Sequence, residues 1–137
     1  MLPPTASILC INRLSSRVAL AQLVAPLLFL IPADAKVQEA ACNALCCLAA
    51  NPHNKVKVAA EGGVGAIVSA MQHHPTHAKI QHAGCGALLN LTLNSANKAK
   101  AKSAGAEDAV KRAMALQDAT AKTKEKGQKV LDRLKNV

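Results

Sequence analysis

Apolar residues recur along this chain at the three-and-four spacing of a packed helix face. Val37, Ala40, Ala41, Ala44, Leu45 and Leu48 make one such face. Ile80, Ala83, Gly84, Ala87, Leu88 and Leu91 make the same face 43 residues later. In a third copy Val130, Leu131 and Leu134 stay apolar, while Thr123 and Lys126 take core positions. Clear punctuation separates the copies. Asn51-Pro52-His53-Asn54 and Asn94-Ser95-Ala96-Asn97 read as turns that cap a following helix, and Gly62-Gly63 and Gly105 end that helix. His74-Pro75-Thr76 marks a further boundary. The pattern predicts helices over 18–31, 33–50, 52–61, 64–73, 76–93, 95–104, 106–116 and 119–136.

The copies match residue by residue. Aligning 37–79 with 80–122 gives 16 identities without a gap, among them Cys42 on Cys85, Gly62 on Gly105 and Met71 on Met114. A period of this length signals stacked supersecondary units, each too small to bury its own apolar face. Composition points to helices as the unit. The chain has one Phe and no Tyr or Trp, although half its residues are hydrophobic. Ala and Leu must fill the core, which suits closely packed helices better than strands. The expectation is an all-α solenoid of three-helix units.

The stretches VQEAACNALCCLAANPHNKVKVAAEGG and IQHAGCGALLNLTLNSANKAKAKSAG resemble the armadillo repeat. The V/I-Q-x-A-x-x-x-A-L-x-x-L run is similar to its third helix, and the N-x-x-N run ending in Gly to its first. HEAT repeats share the period, but the three-helix unit broken by Gly favours armadillo. The resemblance covers roughly residues 20–136. It implies a right-handed α-superhelix of about two and two-thirds repeats in 18–136, after an N-terminal segment 1–17 of uncertain role. It also implies a non-catalytic scaffold that holds a protein or peptide segment in a concave groove lined by third helices.

Peptide-binding members carry a Trp and an Asn one turn apart on each third helix. Here the Trp-equivalent positions are Asn43, Gly86 and Lys129, and the Asn-equivalent positions are Cys47, Asn90 and Arg133. Only Asn90 matches, so importin-like recognition of nuclear-localisation peptides is not expected. The groove line becomes Glu39, Asn43 and Cys47, then His82, Gly86 and Asn90, then Glu125, Lys129 and Arg133. Spacing of four places each trio on one helix face. The line runs from weakly acidic to basic, which favours a carboxylate-bearing segment near Lys129 and Arg133.

Charge adds a second reading. The formal charge is +9, and most Lys and Arg lie from Lys98 onward. A basic half suits nucleic acid or an anionic surface, but no aromatic residue is interleaved to stack on bases. The remaining chemistry is sparse. Pro75 splits the cluster of His73, His74, His77 and His82, and no acid or Cys joins it at zinc spacing. Gly62-Gly63-x-Gly65 follows no strand and is not a phosphate loop. Eight acids form no catalytic pair. No enzyme activity, metal or cofactor is expected. Cys42, Cys46, Cys47 and Cys85 occupy apolar helix positions and read as small buried hydrophobes of a reducing compartment.

The N-terminus carries two readings. Residues 1–17 hold Arg13 and Arg17 and no acid, Val18–Ile31 is almost wholly apolar, and Ala33-Asp34-Ala35 has the form of a cleavage site. A secretory signal or a mitochondrial presequence fits this stretch, and Asn90-Leu91-Thr92 is a glycosylation sequon. The repeat register favours the other reading. Pro32, Ala35 and Lys36 align with Pro75, Ala78 and Lys79, so the apolar run occupies a helix position in the fold. An uncleaved helix in a cytoplasmic or nuclear protein is the expectation. The run is too short and too interrupted by Pro26 to span a membrane. Its apolar character all round suggests association with another chain or with further repeats, while the polar last copy reads as a cap.

Overall fold

The computed structural model describes residues 33–135, which form seven α-helices and no strand. They are α1 (Ala35–Ala49), α2 (Pro52–Ala60), α3 (Gly63–His73), α4 (Ala78–Leu91), α5 (Ser95–Ala104), α6 (Ala106–Ala115) and α7 (Ala121–Leu134). Every helix expected within these residues is present, with boundaries moved by a few residues at most. The helix expected over 18–31 and the segment 1–17 lie outside the described residues.

Two triplets, α2–α3–α4 and α5–α6–α7, begin at positions 43 residues apart. The caps repeat with them. Asn51 and Asn94 each accept from a backbone N–H two residues on, at 2.9 Å. Asp34, His77 and Thr120 cap α1, α4 and α7 from equivalent positions. Each cap satisfies donors that the first turn leaves unpaired. Gly62 and Gly105 are the two described residues with positive φ, at 83° and 87°. Both turn the chain from the first to the second helix of a triplet, where a Cβ would be strained.

The third helices form one layer. α4 lies between α1 and α7 and packs along both, which keeps the backbones of α1 and α7 apart. α3 backs α4, and α6 backs α7. All six apolar positions expected on α4 are buried. On α1, Ala41, Ala44, Leu45 and Leu48 are buried, Val37 is half-buried and Ala40 is exposed. Small residues set the approach of the layers. A methyl on Gly84 would lie 2.5 Å from Met71 Sδ, and one on Gly127 would lie 2.6 Å from Met114 Cγ. These two pairs are repeat equivalents: a Met of the second helix fills the hollow at a Gly of the third.

Polar side chains hold the corners. Gln81 is buried and donates to the Met71 carbonyl at 2.9 Å and the His74 carbonyl at 2.8 Å, satisfying the last turn of α3. Asn97 donates to the Leu91 carbonyl at 3.0 Å and the Lys55 carbonyl at 3.3 Å, tying α5 to α4 and α2. No described helix is long and apolar enough to cross a membrane.

Candidate functional site

The face of the α1–α4–α7 layer carries an open cleft of about 420 Å³. It lies at the N-terminal ends of the three helices. Glu39 and Asn43 line it from α1, Ala78, Lys79 and His82 from α4, Lys122 and Thr123 from α7, and Asp118 and Thr120 from the segment before α7. Three of the expected groove residues, Glu39, Asn43 and His82, therefore meet in one cleft. Lys79 joins them from α4, three residues before His82, and Lys122, Thr123 and Asp118 join from the next repeat, where no spacing rule on a single helix identifies them.

A hydrogen-bond chain crosses from α4 to α7 at the cleft. His82 Nδ1 is 2.7 Å from Thr123 Oγ1, and Thr123 Oγ1 is 3.0 Å from Thr120 Oγ1. On the other ring edge, His82 Nε2 is 3.4 Å from the Lys126 ammonium. An ammonium can only donate, so Nε2 accepts and the proton of the neutral ring lies on Nδ1, directed at Thr123. Burial pushes the His82 pKa below its usual value, and the charges of Lys126 and Lys122 push it the same way. Each of these effects favours the neutral ring.

The rest of the line divides into three environments. Gly86 is buried between neighbours: a methyl there would lie 3.3 Å from Cys46 Sγ and 3.4 Å from Lys126 Nζ. Asn90 and Arg133 are half-buried and reach backward to the preceding third helix. Asn90 Nδ2 donates to the Cys46 carbonyl at 3.1 Å. Arg133 donates to the Leu89 carbonyl and, at 3.5 Å, to Thr92 Oγ1. The same repeat position therefore makes the same contact twice, and these donors hold neighbouring repeats together. Glu125 and Lys129 are exposed and pair with each other at 2.8 Å. That contact holds Glu125 below the usual carboxylate range.

The cysteines differ from the expectation that all four are buried. Cys42 and Cys85 are fully buried, and burial raises both thiols to about 12. Cys46 is half-buried, and Cys47 is exposed near the end of α1. Residues 46 and 47 fall outside the stripe that Ala41, Cys42, Ala44, Leu45, Leu48 and Ala49 bury. Burial and the neighbouring Cys47 raise the Cys46 thiol, and Lys126 partly opposes them. Among the described residues no three His, Cys, Asp or Glu side chains come together in a way that could hold a metal ion. His73 and His77 instead serve local structure, at the end of α3 and the start of α4.

No family model matches this sequence, and no curated protein matches it. A match exists among solved structures. The fold is similar to the crystal structure of an engineered protein from a structural-genomics programme, with a TM-score of 0.72 at 24% identity. The alignment covers 85% of this chain and 47% of that one, so this chain spans about half the length of its structural neighbour. The class that fold and geometry define is an all-helical protein built of stacked, equivalent helix triplets.

Proposed function

We propose that this chain is an armadillo-type interaction module, without catalytic activity, that holds an extended segment of another protein across the α1–α4–α7 face. The observation that carries this reading is the cleft itself. Glu39, Asn43 and His82 stand on successive third helices and face one open space of about 420 Å³. In a right-handed superhelix of such triplets, this face is the concave one. A rigid helical layer offers a preformed surface, so binding needs little rearrangement. The mixed charge of the lining, with Glu39 and Asp118 beside Lys79 and Lys122, suits a protein segment.

The test is a photo-crosslinking residue in place of Asn43, which is exposed and whose side chain makes no hydrogen bond among the described residues. It is used in nuclease-treated native extract, and the captured protein is identified and its binding remeasured with purified components. The reading requires a partner whose affinity falls when Lys122 is replaced by Glu. Crosslinks that disappear with nuclease would defeat it. They would favour the second reading, in which nucleic acid binds the lysine-rich half. That reading draws on Lys100, Lys102 and Lys124, all exposed and without an ion pair among the described residues. It predicts steep weakening with salt and tolerance of any base sequence.

A further inference from the structure

Lys126 stands beside the cleft residue His82 without an acidic partner among the described residues. Lys111, Lys129 and Lys135 each pair with an acid three or four residues away on the same helix. Lys126 has Lys122, Thr123, Lys129 and Val130 at those positions, so its own helix supplies no counter-charge. No ion pair joins it to any described acid. It is nonetheless half-buried, and its ammonium lies at the middle of the layer against neutral His82. The repeat explains the placement. Lys126 is equivalent to Ala40 and Ala83, so a long cationic chain stands where the other copies have a methyl.

Gly86 is buried beside this lysine, with Lys126 Nζ 3.4 Å and Cys46 Sγ 3.3 Å from where a Cβ would stand. His82 lies one turn before Gly86 and Asn90 one turn after it on α4, with Cys46 approaching from α1 and Lys126 from α7. His82 also lines the cleft, so the Lys126 ammonium stands at the edge of that space. We infer that Lys126, beside the cleft residue His82, forms a seat for a single acidic side chain of the bound segment, whose carboxylate supplies the counter-charge that Lys126 lacks. This rests on the groove reading and deepens it. A peptide carboxylate fits better than a nucleic-acid phosphate. Glu39 and Asp118 line the adjoining cleft and would repel a backbone charged at every residue, whereas one carboxylate avoids them.

The seat has a local reporter. The groups facing His82 are Glu39 on α1, Lys79 on its own helix, Lys122, Thr123 and Lys126 on α7, and Thr120 and Asp118 before α7. The positive charge of Lys126 disfavours protonation of the ring, so a carboxylate placed on Lys126 raises the ring's titration midpoint.

The experiment uses the full chain and a blocked ten-residue peptide with one glutamate among serines and glycines, with His82 followed by NMR. Binding should raise the His82 midpoint in the wild type. Lys126→Gln should weaken the peptide by about tenfold, the scale of one charge-assisted hydrogen bond, and should abolish the movement of His82. Lys126→Arg should retain both. Lys57→Gln removes the same charge from exposed α2 and should change affinity by less than about twofold. Equal weakening by Lys57→Gln and Lys126→Gln would reduce the effect to net charge and overturn the seat. An equal response of His82 to a thymidine decamer would overturn the choice of a carboxylate. A partner captured at Asn43 whose binding ignores Lys126→Gln leaves the groove reading intact and removes the seat.

Discussion

Replacing Gly63 with Ala tests how closely the first two helices of a triplet approach. Gly63 opens α3 and faces Val58 of α2. A methyl there would lie 2.5 Å from Val58 Cγ1 and 2.7 Å from the Val58 carbonyl oxygen. Val58 is itself buried. The side-chain contact could yield by rotation, but the carbonyl belongs to a hydrogen-bonded helix and yields only if α2 or α3 moves. Overpacking of this kind costs about 1–3 kcal/mol. Against it stands the gain of Ala over Gly in a helix, at most about 1 kcal/mol and less at a first position. The expected net destabilisation is about 1–2 kcal/mol. The next repeat provides the comparison, because it places Ala106 at the equivalent position and Ala101 where Val58 stands. Its first helix also runs one residue further, to Ala104. A smaller neighbour and a different turn admit the methyl there. Ala106→Gly should therefore also destabilise, by about 0.5–1 kcal/mol through backbone freedom. Urea unfolding followed by far-UV circular dichroism reads both, with an unchanged m-value showing that stability alone moved. A Gly63→Ala protein as stable as the wild type, or more so, would refute the steric argument.

Three other outcomes follow from the packing and the thiols. Gly84→Ala should destabilise the wild type, because its methyl meets Met71 Sδ at 2.5 Å. In a Met71→Ala background it should stabilise by up to about 1 kcal/mol, since only helix propensity then acts; a thermal-melt double-mutant cycle without that reversal sinks the idea. Asn90→Ala should cost about 0.5–1.5 kcal/mol by removing the donor to the Cys46 carbonyl, and chemical denaturation would show no loss if the bond contributes nothing. Cys42 and Cys85 bind their protons more tightly when folded, at about 12 against the ordinary 9.0. Their contribution is complete below pH 9.0 and is lost as pH rises toward 12, because the unfolded chain releases protons that the folded one keeps. Each thiol steepens the alkaline fall in stability by up to about 1.4 kcal/mol per pH unit. Denaturation midpoints between pH 8 and 11 should fall less steeply in Cys85→Ala.

The helices were legible in the chain because the signals that start and stop them are local. Asn51, Asn94, Gly62 and Gly105 act on their own turns, and the structure places each where its chemistry suggests. The burial of Ile80, Ala83, Gly84, Ala87, Leu88 and Leu91 followed from the helical period for the same reason. The site was less legible because it depends on how one third helix slides and turns against the next. Period places Asn90 and Arg133 on a face, but cannot say that their donors turn back to Cys46 and Leu89. It gives Cys47 an apolar neighbourhood without showing that Leu45 and Leu48 already occupy the core. Lys126 did leave a signal, a cation in register with Ala40 and Ala83, but its meaning required knowing that His82 and Gly86 lie opposite.

The two backward-reaching contacts make each repeat's stability conditional on its neighbour. In a one-dimensional description, unit terms and nearest-neighbour coupling terms add separately. The Asn90–Cys46 and Arg133–Leu89 bonds belong to the coupling terms. α4 takes part in both interfaces, whereas α1 and α7 each share one described interface with it. Opening α4 therefore breaks two couplings at once, and opening α7 breaks one. Amide protons in the middle of α4 should consequently exchange most slowly in the described fold, with protection falling toward α7. The cleft residue His82 stands on that most firmly held helix, so a ligand meeting this face meets its most rigid part at the centre.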